Sequence, residues 1–134
     1  GNADPNALQV AVAAAQAVER IGMPEARIIL SQAALYVATA PKSNACYMAI
    51  DKALDVVKNS KTAPVPVHLQ DAHYKGSAKL GHGVGYLYAH DYPNHYVRQQ
   101  YLPDAYVNEK FYEPGDMGYE RDIKKHLDKI KSEA

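Results

Sequence analysis

Six histidines are the first residues in this sequence that could do chemistry. His68 and His73 stand five apart, as do His90 and His95, with Asp91 inside the second pair. A regular helix does not bring residues five apart onto one face, and no His/Cys pair has the spacing of a zinc site. Cys46 lies in the first turn of an expected helix, where the dipole lowers a thiol pKa. A nucleophile also needs a base and an oxyanion site, and nothing near Cys46 in sequence supplies either. Asp51 and Asp55 stand at i,i+4, close enough for paired carboxylates to divide acid–base work if buried. Lys52 and Lys58 flank them, and the apolar stripe lies elsewhere, so this reads as a solvated face. Gly81, Gly83 and Gly85 mimic a phosphate cradle in spacing alone, with no strand before them and no helix start after. They read as a turn with positive-φ positions. No GxxxxGK[ST] loop occurs, so P-loop ATP chemistry has no seat in these residues. The expectation is a domain without catalytic, cofactor-binding or metal residues.

The tyrosines are the anomaly. There are 11, against one phenylalanine and no tryptophan, and nine lie between Tyr74 and Tyr119. They could be stacking platforms for single-stranded DNA, where each stacked base contributes roughly 1–3 kcal/mol. Such sites normally add a positive groove, and this half of the chain has no net charge. They could instead pack irregular loops while their hydroxyls satisfy backbone groups. Or several could anchor a subunit interface, where tyrosine is enriched.

The elements that must position these residues are helical. Asp4-Pro5 is a helix start, a capping carboxylate before proline. An alanine-rich helix follows to Ile21, with Leu8, Val12, Ala15 and Val18 on one stripe and Val10, Ala14 and Ala17 widening it. It reads as buried on two sides, with small residues that admit close neighbours. Residues 22–59 form the central motif, two helices and a corner at Ala40-Pro41-Lys42-Ser43-Asn44. Pro24 and Glu25 suit the first turn of a helix. Ile28, Ile29, Ala33 and Val37, with Leu30 and Ala34, recur at helical spacing. Pro41 excludes the α conformation at Ala40 and ends that helix. Ser43 caps the next, accepting from the N–H of Ala45 or Cys46. Cys46, Ile50, Ala53, Leu54 and Val57 form its stripe.

Pro64 to Val67 reads as an extended connector. A short helix over His68–Lys75 and a single turn over Ser77–Leu80 are expected next. Tyr86 to Pro114 follows neither helical nor strand periodicity, and an irregular run of that length commonly serves function or wraps a partner. A helix from about Met117 to Ser132, started by Asp116 or Gly118, closes the chain. Its narrow apolar face is Ile123, Leu127 and Ile130. Its solvated face carries Glu120, Arg121, Asp122, Lys124, Lys125, Asp128 and Lys131.

At 134 residues, one domain is the default. Fifteen basic and 15 acidic side chains give no net charge to recruit nucleic acid. The single cysteine excludes an internal disulfide and fits a reducing cytoplasm. No run approaches the roughly 18 apolar residues of a membrane span. The sequence does not decide whether Gly1-Asn2-Ala3 is native or a cloning scar.

APKSNACYMAIDKAL, residues 40–54, resembles a motif of the MgsA/RarA branch of AAA+ ATPases, the replication-associated recombination proteins, whose eukaryotic relatives include the Werner-helicase-interacting protein. The likeness extends through Ala3-Asp4-Pro5, residues 65–69, Lys79 to Gly83, Tyr88 to Pro93, Gln100 to Pro103 and Phe111 to Pro114. It implies the post-ATPase, C-terminal part of that family. The implied fold is mostly α, a helical bundle or array like a clamp-loader collar, with a tyrosine-rich irregular segment before a C-terminal helix. Residues 1–21 could belong to the end of the ATPase lid. The implied role is homotetramerisation of a DNA-dependent ATPase acting at stalled or damaged replication forks in the cytoplasm. ATP and magnesium would belong to a module outside this chain. DNA would be met through the full-length protein, and single-strand-binding protein is a further candidate partner. Candidate interface or partner residues are Pro41, Lys42, Ser43, Asn44, Tyr47, Tyr88, His90, Asp91, Tyr92, Tyr101 and Tyr112. The alternatives left open are a binding module for single strands or a replisome partner, and a small enzyme using Cys46 or the Asp51/Asp55 pair.

Overall fold

A computed structural model describes residues 1–61 and 63–133. Five α-helices and no strand occur among the described residues: α1 (Asn6–Ile21), α2 (Ala26–Thr39), α3 (Ala45–Asn59), α4 (Ser77–Leu80) and α5 (Glu120–Ser132). A long irregular stretch separates α3 from α5, interrupted by α4 and by short turns at Val67–Leu69, Ala89–Asp91, Pro93–His95 and Asp104–Tyr106. The chain divides into two compact units. One comprises Gly1–Asp51 and Tyr112–Lys125, the other Lys52–Phe111 and His126–Ala134.

The first unit is built on α1 and α2, which pack on each other. Asp4 Oδ1 accepts from Asn6 N at 3.0 Å and so caps α1 as the Asp-Pro pair predicts. The same carboxylate accepts from the Tyr36 hydroxyl, 3.0 Å from Oδ2, which ties the start of α1 to the end of α2. Gly22 closes α1 at φ +71°. Met23–Pro24 is cis, and α2 begins after this turn. Ala40 is extended, as proline after it requires, and ends α2. Ser43 Oγ accepts from Ala45 N at 3.1 Å and caps α3.

Only part of each expected apolar stripe is covered. Ala14 is the buried residue of α1 and Ala26 of α2, the latter 1% exposed. In α3, Ala45 is buried, with Cys46, Ala49, Ala53 and Val56 partly covered. The larger apolar residues turn outward: Leu8 and Val12 on α1, Ile28, Leu30 and Leu35 on α2, Ile50, Leu54 and Val57 on α3. The covered side of α1 carries Val10, Ala14, Ala17 and Val18, that of α2 carries Ala26, Ile29, Ala33 and Tyr36, and the alanines among them admit close backbones.

The C-terminal helix starts later than expected, at Glu120, after Gly118 takes φ +55°. Ile123, Leu127 and Ile130 are half-buried, as its stripe predicts. Glu120 reverses the expectation of a solvated side chain. It is 0% exposed.

In the second unit, side chains hold much of the irregular backbone by hydrogen bonds. Gln99 pairs with Leu87 in both directions, accepting from its N at 3.2 Å and donating to its O at 2.8 Å. His68 Nε2 meets Gln100 O at 2.7 Å, and the Tyr106 hydroxyl donates to Lys61 O at 2.7 Å. Lys52 Nζ reaches Lys110 O at 2.6 Å and the Glu109 carboxylate at 3.0 Å. Residues 68–75 do not form the expected helix. Only Val67–Leu69 turns, and Gln70 is extended. Ser77–Leu80 is helical as expected, and Gly81, Gly83 and Gly85 take positive φ.

Candidate functional site

The sequence-predicted residues fall into two groups. Pro41, Lys42, Ser43, Asn44, Tyr47 and Tyr112 lie in the first unit, and Tyr88, His90, Asp91, Tyr92 and Tyr101 in the second.

In the first group the corner between α2 and α3 is a set of helix caps. Lys42 Nζ donates to Val37 O and Ala40 O, both at 2.6 Å, and places its charge at the negative end of α2. Asn44 O accepts from Met48 N at 2.9 Å. Ser43, beyond capping α3, donates from Oγ to Glu120 Oε2 at 2.9 Å. Gly115 N donates to the same oxygen at 2.6 Å, and the Tyr112 hydroxyl approaches Oε1 at 3.4 Å. Asn2 Nδ2 reaches that hydroxyl at 3.5 Å. Burial raises the Tyr112 phenol above its ordinary value, and the Glu120 charge adds to the effect. The Glu120 carboxyl group therefore fastens the helical corner to the approach and start of α5. Tyr119 N closes the node by donating to Ala3 O at 2.8 Å. Pro41 borders it: a Cβ on Gly118 would lie 2.7 Å from Pro41 Cγ. Sequence reasoning missed Glu120. Its partner Ser43 lies 77 residues away in sequence.

Tyr47 stands apart from this node. With Ile50, Leu54 and Val57 it makes an i, i+3, i+7, i+10 row on α3, all four exposed and Val57 at 75%. Leu8 at 72% is the most exposed large apolar residue of α1, and Leu35 at 63% of α2. Contiguous exposed apolar patches commonly mark surfaces that something covers.

In the second group, Tyr88 and Tyr101 are about half exposed, and Gln99 Nε2 donates to the Tyr101 hydroxyl at 3.1 Å. Tyr92 is partly exposed, and its neighbours Tyr96 and Val97 with Ile130 line a cavity of about 270 Å³. His90 lies 5.0 Å from the Tyr88 ring and meets His95. Asp91 is exposed, its N donating to Tyr88 O at 3.0 Å.

The remaining chemical candidates are dispersed. Asp51 and Asp55 are exposed, and Asp55 accepts from Asn59 Nδ2 at 3.0 Å. Cys46 is a partly covered free thiol. Gly83 N donates to Val67 O at 2.9 Å, so the glycine turn directs that donor at its own chain. No group of three or more His, Cys, Asp or Glu side chains converges among the described residues. No helix among them is long and apolar enough to cross a membrane.

Comparison with known proteins gives this geometry a family. Residues 1–131 match the family model described as the MgsA AAA+ ATPase C terminal. The chain is 50% identical over 132 residues to an uncharacterized AAA domain-containing protein of Mycobacterium tuberculosis, across 98% of this chain and 29% of that protein. It is 45% identical over 131 residues to replication-associated recombination protein A of Bacillus subtilis, across 97% of this chain and 31% of that protein. It is 40% identical over 114 residues to ATPase WRNIP1 of Dictyostelium discoideum, across 84% of this chain and 13% of that protein. The chain thus spans less than a third of the length of these curated relatives. With a family match over residues 1–131, the chain belongs to the MgsA/RarA family of AAA+ ATPases, as its C-terminal domain.

Proposed function

We propose that this domain assembles copies of its parent protein, and that the assembly is a homotetramer. The supporting observation is the outward row of Tyr47, Ile50, Leu54 and Val57 on α3; Leu8 on α1 and Leu35 on α2 are outward as well. Covering such surface is favourable by about 25 cal/mol per Å². The chain carries no net charge, so copies do not repel one another over long range. The parent would be a DNA-dependent ATPase of replication-fork maintenance and recombination in the cytoplasm, with ATP and magnesium held by a module these residues do not contain. The domain would set the number and spacing of ATPase modules around DNA, acting through effective concentration and not through bond chemistry.

Light scattering across a dilution series tests this. The expected species has the mass of four chains and persists on dilution. A monomer at every concentration overturns the reading.

A second reading draws on the half-exposed Tyr86, Tyr88 and Tyr101, which could take single strands or a replisome partner such as single-strand-binding protein. It predicts salt-sensitive binding of labelled single-stranded DNA, or a complex with the partner in the same scattering experiment. A flat anisotropy baseline removes its nucleic-acid form.

A further inference from the structure

His90 and His95 are too far apart in sequence to share a helix face, yet the fold joins them. The turn at Ala89–Asp91 is followed at once by the turn at Pro93–His95, where Asn94 and His95 take φ of 57° and 52°. Positive φ is uncommon outside glycine, though Asn and His tolerate it better than most. It doubles the chain back, and His95 N donates to Tyr92 O at 3.1 Å. Asn94 holds the reversal, its Nδ2 donating to Glu133 Oε2 at 2.6 Å. The two imidazoles then lie with Nδ1 facing Nδ1 at 3.2 Å, ring centroids 4.8 Å apart and planes at 56°. Both side chains are exposed.

We propose that His90 and His95 form a two-imidazole chelate for a borderline divalent transition metal of the zinc, nickel or copper(II) class. Two nitrogens bound at about 2.0–2.1 Å in a tetrahedron stand roughly 3.3 Å apart, so the separation of the Nδ1 atoms is the bite such an ion requires. Imidazole selects this class over magnesium and calcium, which prefer oxygen. Without metal, the contact between the two Nδ1 atoms is a hydrogen bond when one ring carries its proton on Nδ1 and the other presents a bare Nδ1. On binding, that proton moves through solvent to Nε2 of its own ring. Both Nδ1 lone pairs then form bonds to the ion, and water fills the remaining positions. A site of two protein donors binds more weakly than a four-ligand structural site. Its occupancy would cross-link the two successive turns.

The test uses untagged protein stripped with a chelator and titrated with Zn²⁺, with histidine imidazole resonances followed by NMR. The expected result is saturable shifts of His90 and His95. His90→Ala and His95→Asn should each weaken binding at least about tenfold, one of two donors being lost. Asparagine at 95 keeps a residue that accepts positive φ, and circular dichroism verifies the fold. Mg²⁺ should give no shift. Absent binding, binding that both variants leave unchanged, or an equal response to Mg²⁺ overturns the proposal.

Discussion

Ser43 Oγ stands 2.9 Å from Glu120 Oε2, and the same hydroxyl oxygen caps α3 at Ala45 N. One side chain thus closes a local helix start and a contact across 77 residues of sequence. Ser43→Ala should remove both, costing about 1–3 kcal/mol in chemical denaturation. Ser43→Thr, which keeps the hydroxyl, should recover most of that loss.

Glu120→Ala should cost more, roughly 3 kcal/mol, because it takes the acceptor from the half-buried Gly115 N–H as well as from the Ser43 hydroxyl. The Ser43/Glu120 double mutant should lose less than the sum of the single losses. Full additivity in that cycle would show the two groups to be independent.

How far this arrangement was legible in the sequence varies by residue. Asp4-Pro5, Gly22, Pro41 and Ser43 mark helix ends through local sterics and local hydrogen bonds, and α1, α2 and α3 end within a residue or two of those marks. Glu120 was not legible, since Glu-Arg-Asp-Ile-Lys-Lys looks solvated until Gly115 and Ser43 are known to surround its first residue. Which part of each apolar stripe is covered was equally hidden. Periodicity places Ile50, Leu54 and Val57 on one face of α3, but it cannot say that the alanine side is the one packed inward. The pairing of His90 with His95 depends on backbone angles that no residue spacing encodes.

Gly118→Ala tests the backbone beside the same node. Gly118 has φ +55°, and a Cβ there would collide with Ala3 O. Both strain and collision oppose the methyl, and a loss of roughly 3 kcal/mol or more is expected by thermal or chemical denaturation. A neutral outcome would mean that the N-terminal residues readily leave this position.

Alkaline stability should depend on two tyrosines. The Tyr36 phenol is raised chiefly by its hydrogen bond to Asp4, and that of Tyr112 chiefly by burial. A raised folded pKa stabilises fully below the unfolded value of 10.0 and is lost as pH climbs through the folded value. Stability should therefore decline above about pH 10. Tyr36→Phe with Tyr112→Phe should flatten that decline in a pH series of denaturant midpoints.

Ile50→Glu is the probe of assembly. Ile50 is exposed in the single chain, so its replacement should leave the monomer fold within about 0.5 kcal/mol. The dissociation constant of the assembly should rise at least about tenfold, the cost of a charge in an apolar interface exceeding about 1.4 kcal/mol. Sedimentation at several concentrations separates the two effects.

Ala3 is among the least exposed residues of the chain, and its carbonyl is held by Tyr119 N. Tension applied through residues 1 and 2 would therefore act first on the Ala3–Tyr119 hydrogen bond and the packing over Gly118, before it could peel α1 from α2. The opening residues behave as a mechanical clasp, and the start of α5 is the post to which it is fastened.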